Sequence, residues 1–230
     1  MAVGVDRAGV AERYAGLART TGVLGIASLV LVFGPVIALA SAGEPALDAA
    51  TGEAAKYYAG LDGTWPKLAL AVLTLGMIAT LWFFVAFGML LRRTEGEPAW
   101  RSTVAILSGA LLAAYGLIGS STEAAAVHGR RIGADVADFA FASGSVGLAN
   151  AWIAIASFCL SSAWVILSTG ILGRWMGWWL VVAGIGLIIS RFVWTTDLWT
   201  LFYLLFWLWV VVLSVRLLRR PALLDPAPNP

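Results

Sequence analysis

The sequence predicts an all-α fold, a polytopic membrane helix bundle with six transmembrane helices, and three observations lead to it. Of the 230 residues, 60% are hydrophobic and only 12% are charged, whereas a soluble domain carries about 25% charge and needs it at its surface. Six runs contain no Asp, Glu, Lys, Arg or His: Thr20 to Gly43, Leu68 to Leu91, Ser102 to Thr122, Phe139 to Gly173, Trp175 to Ser190 and Leu198 to Val215. Each is near or above the roughly 17 to 25 residues that a helix needs to cross a bilayer. If all six cross, ten basic residues collect on the side of the termini and five on the other. By the positive-inside rule both termini are then expected in the cytoplasm.

The elements follow in chain order. Residues 1–19 mix Asp6 and Glu12 with Arg7, Arg13 and Arg19 and carry no small-residue cleavage site ahead of the first run, so no cleavable signal peptide is expected. Span one covers about 20–42, with Pro35 predicted to kink it near its outer end. Residues 41–67 are long for a connection and rich in small and polar side chains, with Ala-rich pieces suited to a short interfacial helix. Span two (about 68–91) turns through RRTEGEPAWR into span three (about 102–120), a tight antiparallel pair. The second long outer stretch, 119–138, is expected to carry a further short interfacial helix.

The fourth run, at 35 residues, is too long for one straight span. Gly144, Ser145 and Gly147 predict a break, with Phe139 to Ser143 at the interface and the span proper at about 148–172. Spans five (about 175–194) and six (about 198–216) form a hairpin over the turn WTTD, which an Arg191–Asp197 pair is expected to brace. A Pro-rich cytoplasmic tail, 221–230, ends the chain. Of twelve tryptophans, Trp65, Trp100, Trp175, Trp178, Trp194 and Trp199 fall at span ends, where an indole suits the headgroup region. The other six lie deeper, and packing accounts for them more simply than a cofactor pocket does.

Few residues carry chemistry. The outer loop holds His128 with Glu123, Arg130, Arg131, Asp135 and Asp138. Asp135 and Asp138 would share a helical face, yet the spacing matches no ligand pattern and the two arginines oppose a cation, so no metal site is expected. Arg130 and Arg131 remain candidates for an anion or a headgroup. On the fourth span Asn150, Ala154, Ser157, Ser161, Trp164 and Ser168 recur at steps of four and three, giving one face of mostly small and hydroxyl-bearing side chains. That face could line a polar pathway, but small residues are also how membrane helices approach one another. Ala105, Gly109 and Ala113 repeat the theme on the third span, and the two are expected to meet, directly or through a neighbour.

Mid-membrane ionisable groups, the usual marks of ion coupling, are absent, since Lys67, Arg191 and Asp197 lie at span ends. No lysine is deep enough for a retinal Schiff base. Ser143 and Ser145 match half of a rhomboid-type protease pattern, but His128 precedes them in a loop and cannot serve as the base. One histidine cannot ligate a haem twice, and Cys159 alone can form neither a disulfide nor a thiolate cage. The net charge of +2 is dispersed, so no nucleic-acid partner is expected. No cofactor and no enzymatic activity are expected.

The run LSTGILGRWMGWWLVVAGIGLIISRF, residues 167–192, resembles the hallmark hairpin of a family of uncharacterised actinobacterial-type six-span integral membrane proteins of unknown function. The six-span length and the basic end LLRR are similar too, and the resemblance implies no catalytic motif. FGMLLRR (87–93) and STGILGR (168–174) also end two even-numbered spans alike, a faint parallel repeat. The expected function is that of a non-enzymatic accessory or interaction component of a membrane assembly, with a partner membrane protein or a second copy beside it in the lipid bilayer. The competing expectation is a small oligomeric transporter or channel using the Asn150–Ser168 face.

Overall fold

A computed structural model describes residues 7–46, 52–61, 63–128 and 133–221. They form seven helices and no strand: α1 (Arg7–Ala40), α2 (Glu53–Gly60), α3 (Trp65–Glu95), α4 (Trp100–His128), α5 (Ala134–Thr169), α6 (Arg174–Phe192) and α7 (Leu198–Arg219). All but α2 contain a stretch long and apolar enough to cross a membrane. The chain is thus a multi-pass membrane protein by length and composition. A backbone in hydrocarbon must satisfy its own N–H and C=O groups, and a helix does so within one segment.

The six long helices pack as a ring in chain order, with α7 returning to α1 and α5 also reaching across to α3. Both ends of the described chain lie on one face, here the terminal face. The other is the capped face, because α2 lies over it against α4 and α5. Gly52, before the first turn of α2, donates its N–H to Asp138 Oδ2 at 2.8 Å, and Tyr57 Oη donates to the Leu39 carbonyl at 3.3 Å. Leu39, Ala54, Tyr58, Leu61, Leu70, Ala137 and Phe141 bury together beneath it as a second small core.

Two expectations about the capped side are corrected. The helix does not break at Gly144, Ser145 and Gly147: α5 runs unbroken for 36 residues, about 54 Å. Breaking it would free backbone groups, whereas glycine's helix cost is small where neighbouring helices hold it; the Ser145 hydroxyl donates back to the Phe141 carbonyl at 2.9 Å. The second outer stretch also holds no separate short helix among the described residues, because α4 and α5 themselves extend into it. The interfacial helix expected in the first outer stretch is α2. Helix α1 continues through Pro35 to Ala40.

Small residues set the helix approaches. A methyl built on Gly76 of α3 would come 2.8 Å from the Leu31 carbonyl of α1, so the two backbones nearly touch there. Lipid tails are as apolar as leucine, so such close dispersion contact, rather than expulsion of water, holds membrane helices together. At the centre of the ring Phe84 meets Phe158 at 4.3 Å between ring centroids. Phe206 of α7 completes the layer at 6.3 Å from Phe84 and 6.2 Å from Phe158. Phe87 and Trp209 continue it towards the terminal face, 5.6 Å apart. All five rings are fully buried.

Two clamps close the terminal face. The Glu95 carboxylate, its side chain 1% exposed, accepts the Arg101 Nε–H at 2.8 Å, the backbone N–H groups of Arg101 (3.1 Å) and Ser102 (2.8 Å), and the Ser102 hydroxyl. It therefore caps the first turn of α4, where a negative charge meets free N–H groups and the positive end of the helix dipole. At the α5–α6 turn the Leu172 carbonyl accepts from Arg216 Nη1 at 2.9 Å, and Trp209 Nε1 donates to the Met176 carbonyl at 3.1 Å. Gly170 (φ 73°) and Gly173 (φ 84°) make the left-handed turn possible.

Candidate functional site: a chamber beneath the α2 cap

Above the aromatic layer the ring opens into a chamber of about 200 Å³ in the capped half. Every helix except α6 contributes to its wall. Val32, Leu73, Met77, Leu112, Leu148 and Ile155 supply its apolar surface, and Gly119 leaves open space, a methyl there meeting nothing closer than the Gly144 carbonyl at 3.9 Å. Polar groups are few: Glu44 and Tyr57 on the capped side, Ser120 and Ser145 on α4 and α5, and the tyrosines Tyr115 and Tyr203 with Trp199. Among the described residues no lysine or arginine lines it. The Ser145 hydroxyl is engaged by its own helix, whereas no hydrogen bond engages that of Tyr115 among the described residues. Glu44 is exposed, and partial desolvation by the surrounding chain raises its carboxyl above the ordinary carboxylate range.

Few of the residues singled out from sequence belong to this chamber. The Asn150–Ser168 face is a helix interface. Ser108 of α4 donates to the Ser157 hydroxyl at 2.7 Å, so the third and fourth spans meet directly, whereas Gly109 of the small stripe on α4 packs on Phe84 of α3. Ser161 donates to the Ser157 carbonyl of its own helix at 2.7 Å. Ser168 accepts from Arg101 Nη1 at 3.3 Å, and Trp164 packs edge-on to Trp100 at 5.2 Å. Asn150 turns towards α6, where its Oδ1 accepts the Arg191 Nε–H at 3.2 Å. Arg191 therefore braces α5 against α6, and no ion pair joins it to the exposed Asp197; the hairpin turn is closed instead by backbone bonds such as Val193 N–H to the Ser190 carbonyl.

The outer-loop cluster also comes apart. Asp138 holds the start of α2, whereas Asp135 is exposed on the first turn of α5. His128 ends α4 with its side chain outside the described residues, and Arg130 and Arg131 lie outside them altogether. Among the described residues no three His, Cys, Asp or Glu side chains gather to hold a metal ion.

Of the chamber residues only a few, such as Gly144, Ser145 and Trp199, stand out in the sequence, and Glu95 does not. A tyrosine followed by glycines, AYGLIG at 114–119, is the signal that marks a polar group beside open space. Glu95 and Ser102, seven apart across a turn, have the character of a cap displaced onto the preceding helix.

The Ser108–Ser157 bond has a measurable size. Polar contacts between membrane helices average about 0.6 kcal/mol, because each partner also finds acceptors in the unfolded helix. A double-mutant cycle with Ser108→Ala and Ser157→Ala, read by denaturant titration in mixed micelles, is expected to give a coupling of about that size. Coupling near zero would mean that the two hydroxyls are satisfied separately by their own helices.

No family model matches this chain, and neither a curated protein nor a solved structure shows significant similarity to it.

Proposed function

We propose that this protein is a non-enzymatic accessory component of a bacterial inner-membrane assembly, with both termini in the cytoplasm, that works by binding rather than by conducting a solute. One observation carries the reading: the ring is filled at mid-depth by the Phe84–Phe158–Phe206 layer, while its capped half holds a chamber. A conduction path needs water or polar groups to follow one another across the membrane, and a layer of fully buried rings offers neither. The orientation rests on the ten-to-five distribution of basic residues. On the flanks Trp82 and Trp164 remain exposed, ridges against which a partner helix or a second copy can pack.

Purified protein reconstituted into liposomes is expected to leave potassium and small-dye gradients intact for as long as empty liposomes do. Flux above the empty control would overturn the reading in favour of the small oligomeric transporter or channel. In that case Ser157→Leu and Ser161→Leu should abolish flux, since the α4–α5 seam would have to open to form the path.

A further inference from the structure

The chamber wall is mostly apolar, with a few polar side chains set into it. Cavities of about 150 Å³ lined by aliphatic and aromatic side chains take up molecules such as benzene. At about 200 Å³, with Val32, Leu73, Leu112 and Ile155 on its walls, this chamber is of the size and character that accepts a hydrocarbon group. Its few polar side chains restrict what can be attached to that hydrocarbon. With no lysine or arginine among the described lining residues, a phosphate or carboxylate would enter beside Glu44 without a counter-charge from them.

A donor to a neutral oxygen is present. Tyr115 lines the chamber with a hydroxyl that makes no hydrogen bond among the described residues. Behind the lining, Trp152 stacks on the chamber residue Trp199 at 5.2 Å and fixes that wall.

A route from the bilayer is present as well. On the outer surface of the α1–α7 seam a groove is lined by Leu29, Phe33, Leu204, Trp207 and Leu208. Between groove and chamber stand three rings: Phe33 lies 5.9 Å from Tyr203 and 5.5 Å from Trp207, and Tyr203 and Trp207 are 6.2 Å apart. Tyr203 faces the chamber and the other two face the groove. A thin wall of side chains therefore separates the chamber from lipid.

We propose that the chamber binds an uncharged lipid whose head offers a carbonyl or hydroxyl oxygen, and whose hydrocarbon chain reaches it from the bilayer through the α1–α7 seam. This deepens the binding reading above and rests on it. The shared chemistry is a neutral oxygen acceptor on a flexible chain, and a diacylglycerol, a prenol and a chain-bearing quinone all carry it.

The test uses the full-length protein in detergent micelles, with thermal unfolding measured against dioctanoylglycerol, farnesol, decylubiquinone and dioctanoyl phosphatidylglycerol. At least one neutral probe is expected to raise the midpoint in a saturable way, as a ligand that binds only the folded state must. The phospholipid is expected to leave it unchanged, and the neutral probe that acts identifies the source. Gly119→Leu fills the chamber, because a methyl there has no neighbour closer than the Gly144 carbonyl at 3.9 Å. It should abolish the shift while retaining the unliganded midpoint. Tyr115→Phe should weaken binding about tenfold, the value of one hydrogen bond of about 1.4 kcal/mol. If Gly119→Leu lowers the unliganded midpoint, Ala151→Leu, on the facing wall, serves as the filler instead. No shift with any neutral probe, an equal shift with the phospholipid, or an undiminished shift in the filled variant overturns the inference. Any of these with liposomes still tight leaves the accessory reading standing, whereas solute flux overturns that reading by itself.

Discussion

Phe158→Ala is expected to lower stability by about 3 kcal/mol, at the low end of the range for truncating a buried phenylalanine. The ring lies 4.3 Å from Phe84, 6.0 Å from Phe87 and 6.2 Å from Phe206, so one truncation takes contacts from two neighbouring helices at once. In a bilayer the loss is mainly dispersion, since the unfolded helix would bury the same ring in lipid, and this places the effect at the lower end. Denaturant titration in mixed micelles, followed by tryptophan fluorescence, measures it. Phe158→Leu should lose clearly less, because it leaves a smaller void. A loss below about 1 kcal/mol for the alanine variant would mean that the aromatic layer collapses around the gap and does not organise the bundle.

Glu95→Ala is expected to cost a similar amount, about 3 kcal/mol, by a different mechanism. Its carboxylate is almost wholly buried, whereas Arg101 keeps 21% of its side chain exposed and a second partner in Ser168. Removing the acid leaves an arginine that can still reach water, so the penalty falls at the low end of that for breaking a buried pair. The first turn of α4 also loses the acceptor for the Arg101 and Ser102 N–H groups, by itself about 1 kcal/mol. Glu95→Gln retains an acceptor oxygen and should lose less than half as much. Equal losses for the two variants would show that the charge, and not the capping geometry, holds the α3–α4 turn.

The residues that were legible in sequence are those whose environment is set by their own segment. Charge-free length revealed six spans because lipid imposes one rule on every residue within them. The end-lying indoles Trp65, Trp100, Trp175 and Trp178 are exposed, as headgroup residues are. Helix ends were less legible: α5 runs through Gly144, Ser145 and Gly147 because packing against neighbours outweighs a weak local preference. Arg191 was paired with Asp197 on sequence proximity, but its side chain reaches Asn150, 41 positions earlier, across the α5–α6 interface. The hydroxyl stripe was visible as a pattern, while its use, contact with Ser108, depended on which helix lay opposite.

The sequence by itself determined the class of the protein, since composition, run length and the position of charge act locally on each segment against a uniform solvent. The order of the helices around the ring, the aromatic layer across it and the chamber above that layer were decided only by the tertiary structure. Phe84, Phe158 and Phe206 belong to three different helices, as do Leu73, Tyr115 and Tyr203. In a sequence so uniformly apolar, nothing local distinguishes a ring that meets lipid from one that meets another ring. That distinction arises when helices find the faces on which small residues let them approach, and the same choice leaves the unfilled volume in the capped half.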